Sequence, residues 1–244
     1  MKSANMGEKK TEHTSWNDDC ERLVLYADFM GFKNRVRSTL HETLRGELTH
    51  FLDDFRTKMQ PLLLGDHLKI TQFSDSILIV ANGTNQKMMN LLTKAAVVLF
   101  HKSLSAKLPI KGVIAQGTFT YDKANELYFG RPLIDAYLLH EEIKYYGVVV
   151  HCTAEKTVKA YLKTESENIY ANTPVYLESG KVRHYHLCWN LMKDDLDYGN
   201  ITNTCENWLD DIAENVSGKS RLYIDRTLEI LHEDAKQSRI SAAH

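Results

Sequence analysis

Hydrophobic and polar positions in the first third of the chain follow two different periods. Residues 21–28 (ERLVLYAD) and 67–82 (HLKITQFSDSILIVAN) are largely apolar runs typical of strands, and the second has a turn at its centre that predicts a hairpin. Between them, leucine and phenylalanine recur every three or four residues, which predicts helical structure over 31–59 with a division at Gly46. Pro61 predicts that this helical segment has ended.

The rest of the chain continues the mixture of helices and hairpins. The predicted elements are a helix over 86–108, a strand over 110–122, a short strand and helix within 126–146, a strand over 148–152, a helix over 153–162, a hairpin around Ser179–Gly180 and two closing helices after residue 204. Helices that alternate with antiparallel hairpins predict an α+β fold of ferredoxin-like type, with a central antiparallel-rich sheet flanked by helices and a C-terminal helical extension.

Length and composition divide the chain into three expected parts. The 244 residues are 43 % hydrophobic, enough for one sizeable core. Residues 1–20 are polar and predict a disordered N-terminal tail. Residues 21–192 carry the strands and helices of the main domain, and 193–244 follow a polar link as the C-terminal helical extension.

Charge, cysteine content and hydropathy exclude several classes of protein. The net charge is −2, from 30 basic and 32 acidic side chains, which argues against binding to nucleic acid or an anionic membrane surface. The four cysteines form no C-x-x-C pair, and together with the lack of a signal peptide this favours a reducing compartment. No apolar run approaches the ~20 residues that span a bilayer. We therefore expect a cytoplasmic protein.

One histidine pair raises the question of a zinc site. His184 and His186 stand two residues apart in HYH, on one face of a predicted strand. The pattern contains no nearby third ligand. A packed or surface pair is therefore favoured over zinc.

Two aspartates stand at the ends of predicted strands. Asp28 follows an apolar run and precedes Gly31, and Asp75 occupies the tip of the hairpin. Either one alone is explained by turn chemistry. Two carboxylates on neighbouring strand ends repel each other, however, and a pair of this kind is typical of a site for Mg²⁺ or Mn²⁺, since these ions prefer oxygen ligands. Gly31 also allows the backbone to approach a ligand closely.

Three motifs in order resemble the class III nucleotidyl cyclases. Asp28-Phe29-Met30-Gly31-Phe32 matches the family's D-x-x-G-F, and Ser74-Asp75 stands where the second metal aspartate lies. Gly130 to Leu138 (GRPLIDAYL) keeps the glycine, apolar residue and alanine of G-x-x-V-N-x-A-x-R. The resemblance runs from about residue 21 to 192.

This resemblance implies an enzyme that converts a nucleoside triphosphate to a 3′,5′-cyclic nucleotide and pyrophosphate. It implies two divalent metal ions, Mn²⁺ or Mg²⁺, bridged by Asp28 and Asp75, with the Phe29 carbonyl completing one shell. Gly31 and Phe32 belong to the same substrate-binding loop. In the family the site lies between subunits, which implies a head-to-tail homodimer.

The chain departs from the family at several positions that contact substrate. Ile134 and Leu138 replace the Asn and Arg that orient the ribose and stabilise the transition state. Thr71 and Leu127 replace the pair that reads a purine base, so neither reproduces the charged purine contacts. The expected substitutes for the missing cation are Arg131, at the start of the later helix, and Lys181 and Arg183, on the late hairpin where the family binds the triphosphate.

Two interpretations follow from these departures. LIDAYLLHEE and YHLCWNLM are similar to the bacterial pyrimidine cyclases of the Pycsar anti-phage systems, which implies UTP as substrate, cyclic UMP as product and a separate effector that binds it. The alternatives are a cytidylate or purine cyclase, or an inactive cyclase-like module that binds nucleotide or dimerises. Retention of both aspartates favours an active enzyme.

Overall fold

The structure is a computed structural model that describes residues 16, 19–164, 169–191 and 201–241. The strands are β1 (Cys20–Phe29), β2 (Leu68–Phe73), β3 (Ser76–Ala81), β4 (Ile110–Asp122), β5 (Leu127–Gly130), β6 (Val148–Val150), β7 (Tyr170–Leu177) and β8 (Gly180–Leu187). The helices are α1 (Phe32–Ser38), α2 (His41–Leu63), α3 (Gln86–Ser105), α4 (Arg131–Glu142), α5 (Glu155–Leu162), α6 (Ile201–Ala213) and α7 (Lys219–Ser241).

The described strands form one sheet in the order β2-β3-β1-β4-β6-β8-β7, with β5 paired to β4. The pairs are antiparallel except for β4 with β6, which run parallel. The α+β architecture predicted from the hydrophobic pattern is confirmed, including the antiparallel-rich sheet, its flanking helices and the C-terminal helices.

The core lies mainly on the face of the sheet that α2 and α3 cover. Alternate residues of β1 point into it, and Phe51, Phe55 and Met59 of α2 are buried against it. The opposite face of β1 and β4 is covered by α4, whose Ala136 is fully buried. Successive side chains of β1 therefore pack on opposite faces of the sheet. Asp28 lies on the face that α4 covers.

Three sequence predictions about boundaries need correction. Gly46 lies inside α2, and the helical segment divides instead at Thr39–Leu40. Pro61 also lies inside α2, because the buried stripe holds the helix together to Leu63 despite the missing amide. The first strand begins at Cys20, one residue before its predicted start at Glu21.

The described residues at the two ends pack on the domain. The indole of Trp16 donates a hydrogen bond to the Asp66 carbonyl at 2.8 Å. Leu209 of α6 and Ile224 of α7 are fully buried in the same core cluster as the sheet. Residues 1–15, and 192–200 of the predicted link, lie outside the described residues. Among the described helices, none is long and apolar enough to cross a membrane.

Candidate active site

The sheet brings the two aspartates together where neighbouring strands end. Asp28 pairs with Ser76 in the β1–β3 register, and Asp75 stands in the turn just before Ser76. The Phe29 amide donates to the Asp75 carbonyl at 3.0 Å, which ties the hairpin turn to the end of β1. Ser74 adopts a left-handed conformation (φ 55) that lets β2 reverse directly into β3.

The electrostatics of Asp28 show a carboxylate held near a like charge. Burial first, and the charge of Asp75 second, raise the pKa of Asp28 to about 6. The Ser76 hydroxyl donates to Asp28 Oδ1 at 3.0 Å and opposes that rise. Asp75 is partly buried, and its carboxylate has no hydrogen-bond or ion-pair partner in the part of the chain that the structure describes. The Ser76 hydroxyl and the charge of Lys111 on β4 offset the negative charge of the pair only in part, since the pKa of Asp28 stays raised.

This donor set fits hard divalent cations. Two carboxylates and a backbone carbonyl at these strand ends supply the oxygen ligands that Mg²⁺ and Mn²⁺ prefer. A bound cation would also offset the burial and the repulsion from Asp75 that together raise the pKa of Asp28. Asp28, Asp75 and the Phe29 carbonyl are therefore the groups that would hold the metals.

The loop after Asp28 is shaped for backbone contacts and not for side-chain contacts. The Phe29 side chain is buried in the core, and its ring lies 6.3 Å from that of Phe32, which also packs against the core. Only main-chain atoms of Phe29 can thus face a ligand. Gly31 has φ 75, a conformation that other residues adopt at a cost, and a Cβ there would meet no atom within 4 Å.

Two buried basic side chains beneath the carboxylates escaped the sequence analysis. Lys111 of β4 pairs with Asp28 in register, is 5 % exposed and donates to the Ile143 carbonyl at 3.3 Å. Burial lowers the pKa of Lys111 to about 8. His140 of α4 is 2 % exposed and lies 5.1 Å, ring to ring, from Tyr26. The position of Lys111 inside the apolar strand PIKGVIA was a sequence signal for its burial. The burial of His140 depends on how α4 packs on the sheet, which the local sequence does not indicate.

His140 makes the stability of the fold sensitive to acid. Burial, with a smaller contribution from Lys111, lowers the pKa of His140 to about 3, and Tyr26 and Glu141 are its other ionisable neighbours. The unfolded chain takes up this proton below its usual pKa and the folded chain does not. Stability is therefore complete above about pH 6.5 and falls as pH is lowered towards 3, by about 2 kcal/mol at pH 5.

The prediction is that His140→Leu removes this part of the acid sensitivity. Urea unfolding at pH 7.5 and pH 5 measures it, with exposed His50→Gln as the matched control that keeps the parent's pH dependence. An unchanged pH dependence in His140→Leu contradicts the assignment.

Of the two base-reading positions, Thr71 lies on the Asp28 face of the sheet in an aromatic setting, whereas Leu127 alternates with Tyr128 and points to the other face. The Thr71 hydroxyl shares a hydrogen bond of 3.0 Å with the Tyr121 hydroxyl. The Tyr121 ring lies 5.3 Å from Trp16 and 4.7 Å from Tyr128. Leu127, at the start of β5, is half exposed. Thr71 is thus already engaged by a phenol.

The remaining predicted substrate residues lie near the opposite ends of the strands from Asp28. Gly130 pairs with Phe119, which lies nine positions along β4 from Ile110, the residue that pairs with the end of β1. Arg131, the first residue of α4, therefore lies far from Asp28. The Arg131 side chain is 82 % exposed and forms an ion pair with Asp135. Lys181 and Arg183 stand at the start of β8, whereas the β4–β6–β8 register aligns the end of β8 with Asp28. One chain does not assemble all of these residues around one ligand.

Lys181 and Arg183 also have partners within the chain. Lys181 forms an ion pair with Glu229 of α7 and lies over the Tyr176 ring. Arg183 donates to the Asn172 carbonyl at 2.7 Å. A triphosphate would have to compete with Glu229 for Lys181.

No protein-family model and no curated protein sequence matches the chain. Solved structures do match. The catalytic core of a rhodopsin-guanylyl cyclase with converted specificity, in complex with ATPαS, aligns at TM-score 0.51 and 12 % identity, covering 69 % of this chain and 95 % of that one. The guanylate cyclase domain of RhGC from Catenaria anguillulae, in complex with GTP, gives TM-score 0.50 and 12 % identity, with 68 % and 95 % coverage.

The chain has the class III nucleotidyl cyclase fold. The adenylyl cyclase CyaB from P. aeruginosa is also similar, at 14 % identity and TM-score 0.49, with 73 % of this chain and 97 % of that one covered. Likenesses at such low identity concern the cyclase fold alone. The chain's chemistry has to be argued from its own residues.

Proposed function

We propose that this chain is a metal-dependent nucleotide cyclase that converts UTP to 3′,5′-cyclic UMP and pyrophosphate. The observation that carries the proposal is the convergence of Asp28 and Asp75 at adjacent strand ends, where burial and the charge of Asp75 raise the pKa of Asp28. A pair of this kind is costly to keep without cations. A domain that had lost catalysis would gain nothing from retaining it.

The chain's own groups position the reaction. Two divalent cations bound there supply activation of the ribose 3′-hydroxyl and neutralisation of the β and γ phosphates. Asp28 and Asp75 hold that charge in place, and Ser76 orients Asp28 through its hydrogen bond. A Cβ at Gly31 would meet no atom within 4 Å, and we propose that the phosphate chain occupies the open space beside this turn.

The setting of Thr71 supports a pyrimidine substrate. Its hydroxyl is bonded to Tyr121, and the surrounding rings of Trp16 and Tyr128 occupy space on that side of the sheet. A single-ring base with one hydrogen-bonding edge fits this setting better than a purine that needs a charged partner. Uracil is the base we propose.

Exposed apolar side chains support a head-to-tail homodimer as the active form. Large hydrophobic residues are exposed on β2, β5 and α4: Phe73, Leu127, Phe129, Ile134, Tyr137 and Leu138. Exposed apolar patches mark interaction surfaces. Ile134 and Leu138 supply neither ribose contact nor cation, so we propose that they bind the second subunit, while Arg131 from that subunit faces the phosphates.

The biological role we propose is synthesis of a signal in bacterial anti-phage defence, read by a separate effector. This role rests on the resemblance of LIDAYLLHEE and YHLCWNLM to the Pycsar uridylate cyclases. Neither nucleic acid nor a membrane is part of the proposal, in keeping with the near-neutral net charge of −2.

The purified full chain, incubated separately with ATP, GTP, CTP and UTP in Mn²⁺, tests the substrate. Cyclic UMP and pyrophosphate are the expected products from UTP, in equal amounts, with the other three triphosphates giving about tenfold less because they lose base contacts. Chromatography resolves the products, and chelation of Mn²⁺ is the control that stops the reaction.

If a cyclic nucleotide with another base is the main product, uracil is the wrong base but the proposed cyclase reaction is correct. No cyclic product from any triphosphate, with or without extract of phage-infected cells, would overturn the enzyme and leave an inactive module.

A further inference from the structure

A second group of metal-ligating side chains is buried where β8 meets α7. His186 and Cys188 stand two residues apart at the end of β8, and Asp234 reaches them from α7. One ligand atom from each lies within 4.8 Å of the others. The three residues are 1 %, 2 % and 2 % exposed, so water has little access to them.

The hydrogen bonds within this group all converge on one carboxylate. His186 Nε2 lies 2.9 Å and 3.0 Å from the two Asp234 oxygens, and the Cys188 thiol also bonds to Asp234. Two neighbouring polar atoms have no hydrogen-bond partner among the described residues: His186 Nδ1 and the Tyr145 hydroxyl. Such orphaned groups are rare in a buried interior and point to something that binds there.

We propose that His186, Cys188 and Asp234 bind one Zn²⁺ ion. Nitrogen, sulfur and carboxylate oxygen are the donors that zinc takes in proteins, and the sulfur disfavours Mg²⁺. Binding displaces the proton of the Cys188 thiol to solvent. One thiolate and one carboxylate then balance the two positive charges and the imidazole stays neutral, so the buried complex carries no net charge.

The surroundings of the sulfur match those of a metal-bound thiolate. A backbone hydrogen bond from Ala171 of β7 reaches the Cys188 sulfur. Outer hydrogen bonds of this type orient ligands and tune a metal. The buried Tyr145 hydroxyl, which has no hydrogen-bond partner among the described residues, is the candidate for a fourth ligand or for a donor to a water in that position.

This site is separate from the Asp28–Asp75 pair. β8 is three strands from β1 in the sheet, and the acidic pair offers oxygen ligands alone. The consequence is structural, because one ligand comes from α7, one comes from β8 and one directly follows β8. A bound zinc ion would link the C-terminal helix α7 to the sheet through these ligands. The histidine pair of HYH suggested zinc without a third ligand; the missing ligands are Cys188 and Asp234, and His184 is not one of them.

Metal content measures the proposal directly. The full chain carrying Asp28→Ala and Asp75→Ala is dialysed against Zn²⁺, cleared of free metal and analysed by mass spectrometry, so that the acidic pair contributes nothing. We expect about one zinc ion per chain, and less than about a tenth of that after Cys188→Ser or Asp234→Asn. Cys152→Ser and His184→Gln are matched controls that retain zinc.

A second measurement does not depend on the folding of the ligand variants. Co²⁺ loaded into the same Asp28→Ala, Asp75→Ala chain should give a thiolate-to-cobalt charge-transfer band, which titrates to one equivalent and is displaced by Zn²⁺. Absence of that band, or zinc retained equally by Cys188→Ser, overturns the proposal. A chain that takes up no zinc at all also overturns it and leaves a hydrogen-bonded cluster.

Discussion

Asp75→Asn should abolish cyclic nucleotide formation while the protein keeps its fold. The side chain is partly buried and lacks a hydrogen-bond or ion-pair partner in the described ranges, so Asn, which has nearly the same shape, removes the charge without breaking a described contact. The substitution halves the acidic charge of the proposed metal site, and we expect turnover to fall by about 10³-fold or more. Initial rates of product formation, measured with the best triphosphate in Mn²⁺, check the prediction.

A second hairpin aspartate provides the control for Asp75. Asp122 stands at the β4–β5 turn, where its oxygens accept from the amides of Ala124 and Asn125. Asp122→Asn keeps an acceptor there and lies away from the acidic pair, so activity should stay at the parent level. Mn²⁺ should raise the unfolding temperature of the parent and of Asp122→Asn, but have little effect on Asp75→Asn. Full activity in Asp75→Asn would mean that the metal site is misplaced.

Gly130→Ala should destabilise the domain severely. Gly130 joins β5 to α4 at φ 157, and a Cβ there would lie 2.4 Å from the Thr118 carbonyl oxygen and 2.9 Å from the Phe119 Cα. Both contacts are with backbone of the central strand β4, which cannot move aside as a flexible side chain does. We expect a loss of about 3 kcal/mol or more in the free energy of unfolding. Urea denaturation followed by circular dichroism measures it.

The matched control is a glycine in open space. Gly46 lies in the middle of α2, and a Cβ there would meet nothing within 4 Å. Gly46→Ala should therefore stabilise the domain, by about 0.5–1 kcal/mol, through better helix propensity. Equal effects of the two substitutions would contradict the close approach at Gly130.

The cyclase fold could be predicted because its local signals agree. The apolar runs that meet at a turn in 67–82 predicted the β2–β3 hairpin, and the apolar segment 86–108 predicted the helix α3. Errors occurred where a single residue was used to place a boundary. Gly46 and Pro61 both lie inside α2, because the buried stripe of that helix outweighs the preferences of two residues.

Candidate site residues divide in the same way. D-x-x-G-F is a contiguous motif, so Asp28 was accessible from the sequence, and the hairpin pattern placed Asp75. Lys181 was placed by analogy with the family, and nothing in its own strand indicated the ion pair with Glu229, which lies 48 residues further along the chain. That contact depends on how α7 packs against the sheet.

By itself, the sequence determined the order of strands and helices and the two acidic strand ends, because hydrophobic period and turn chemistry act between near neighbours. Only the tertiary structure decided that Lys111 lies opposite Asp28, that Arg131 and Lys181 lie near the far ends of the strands, and that Asp234 joins His186 and Cys188. Strand register and helix docking set these relations. Both arise from burial of surface between segments far apart in the chain, which no local pattern encodes.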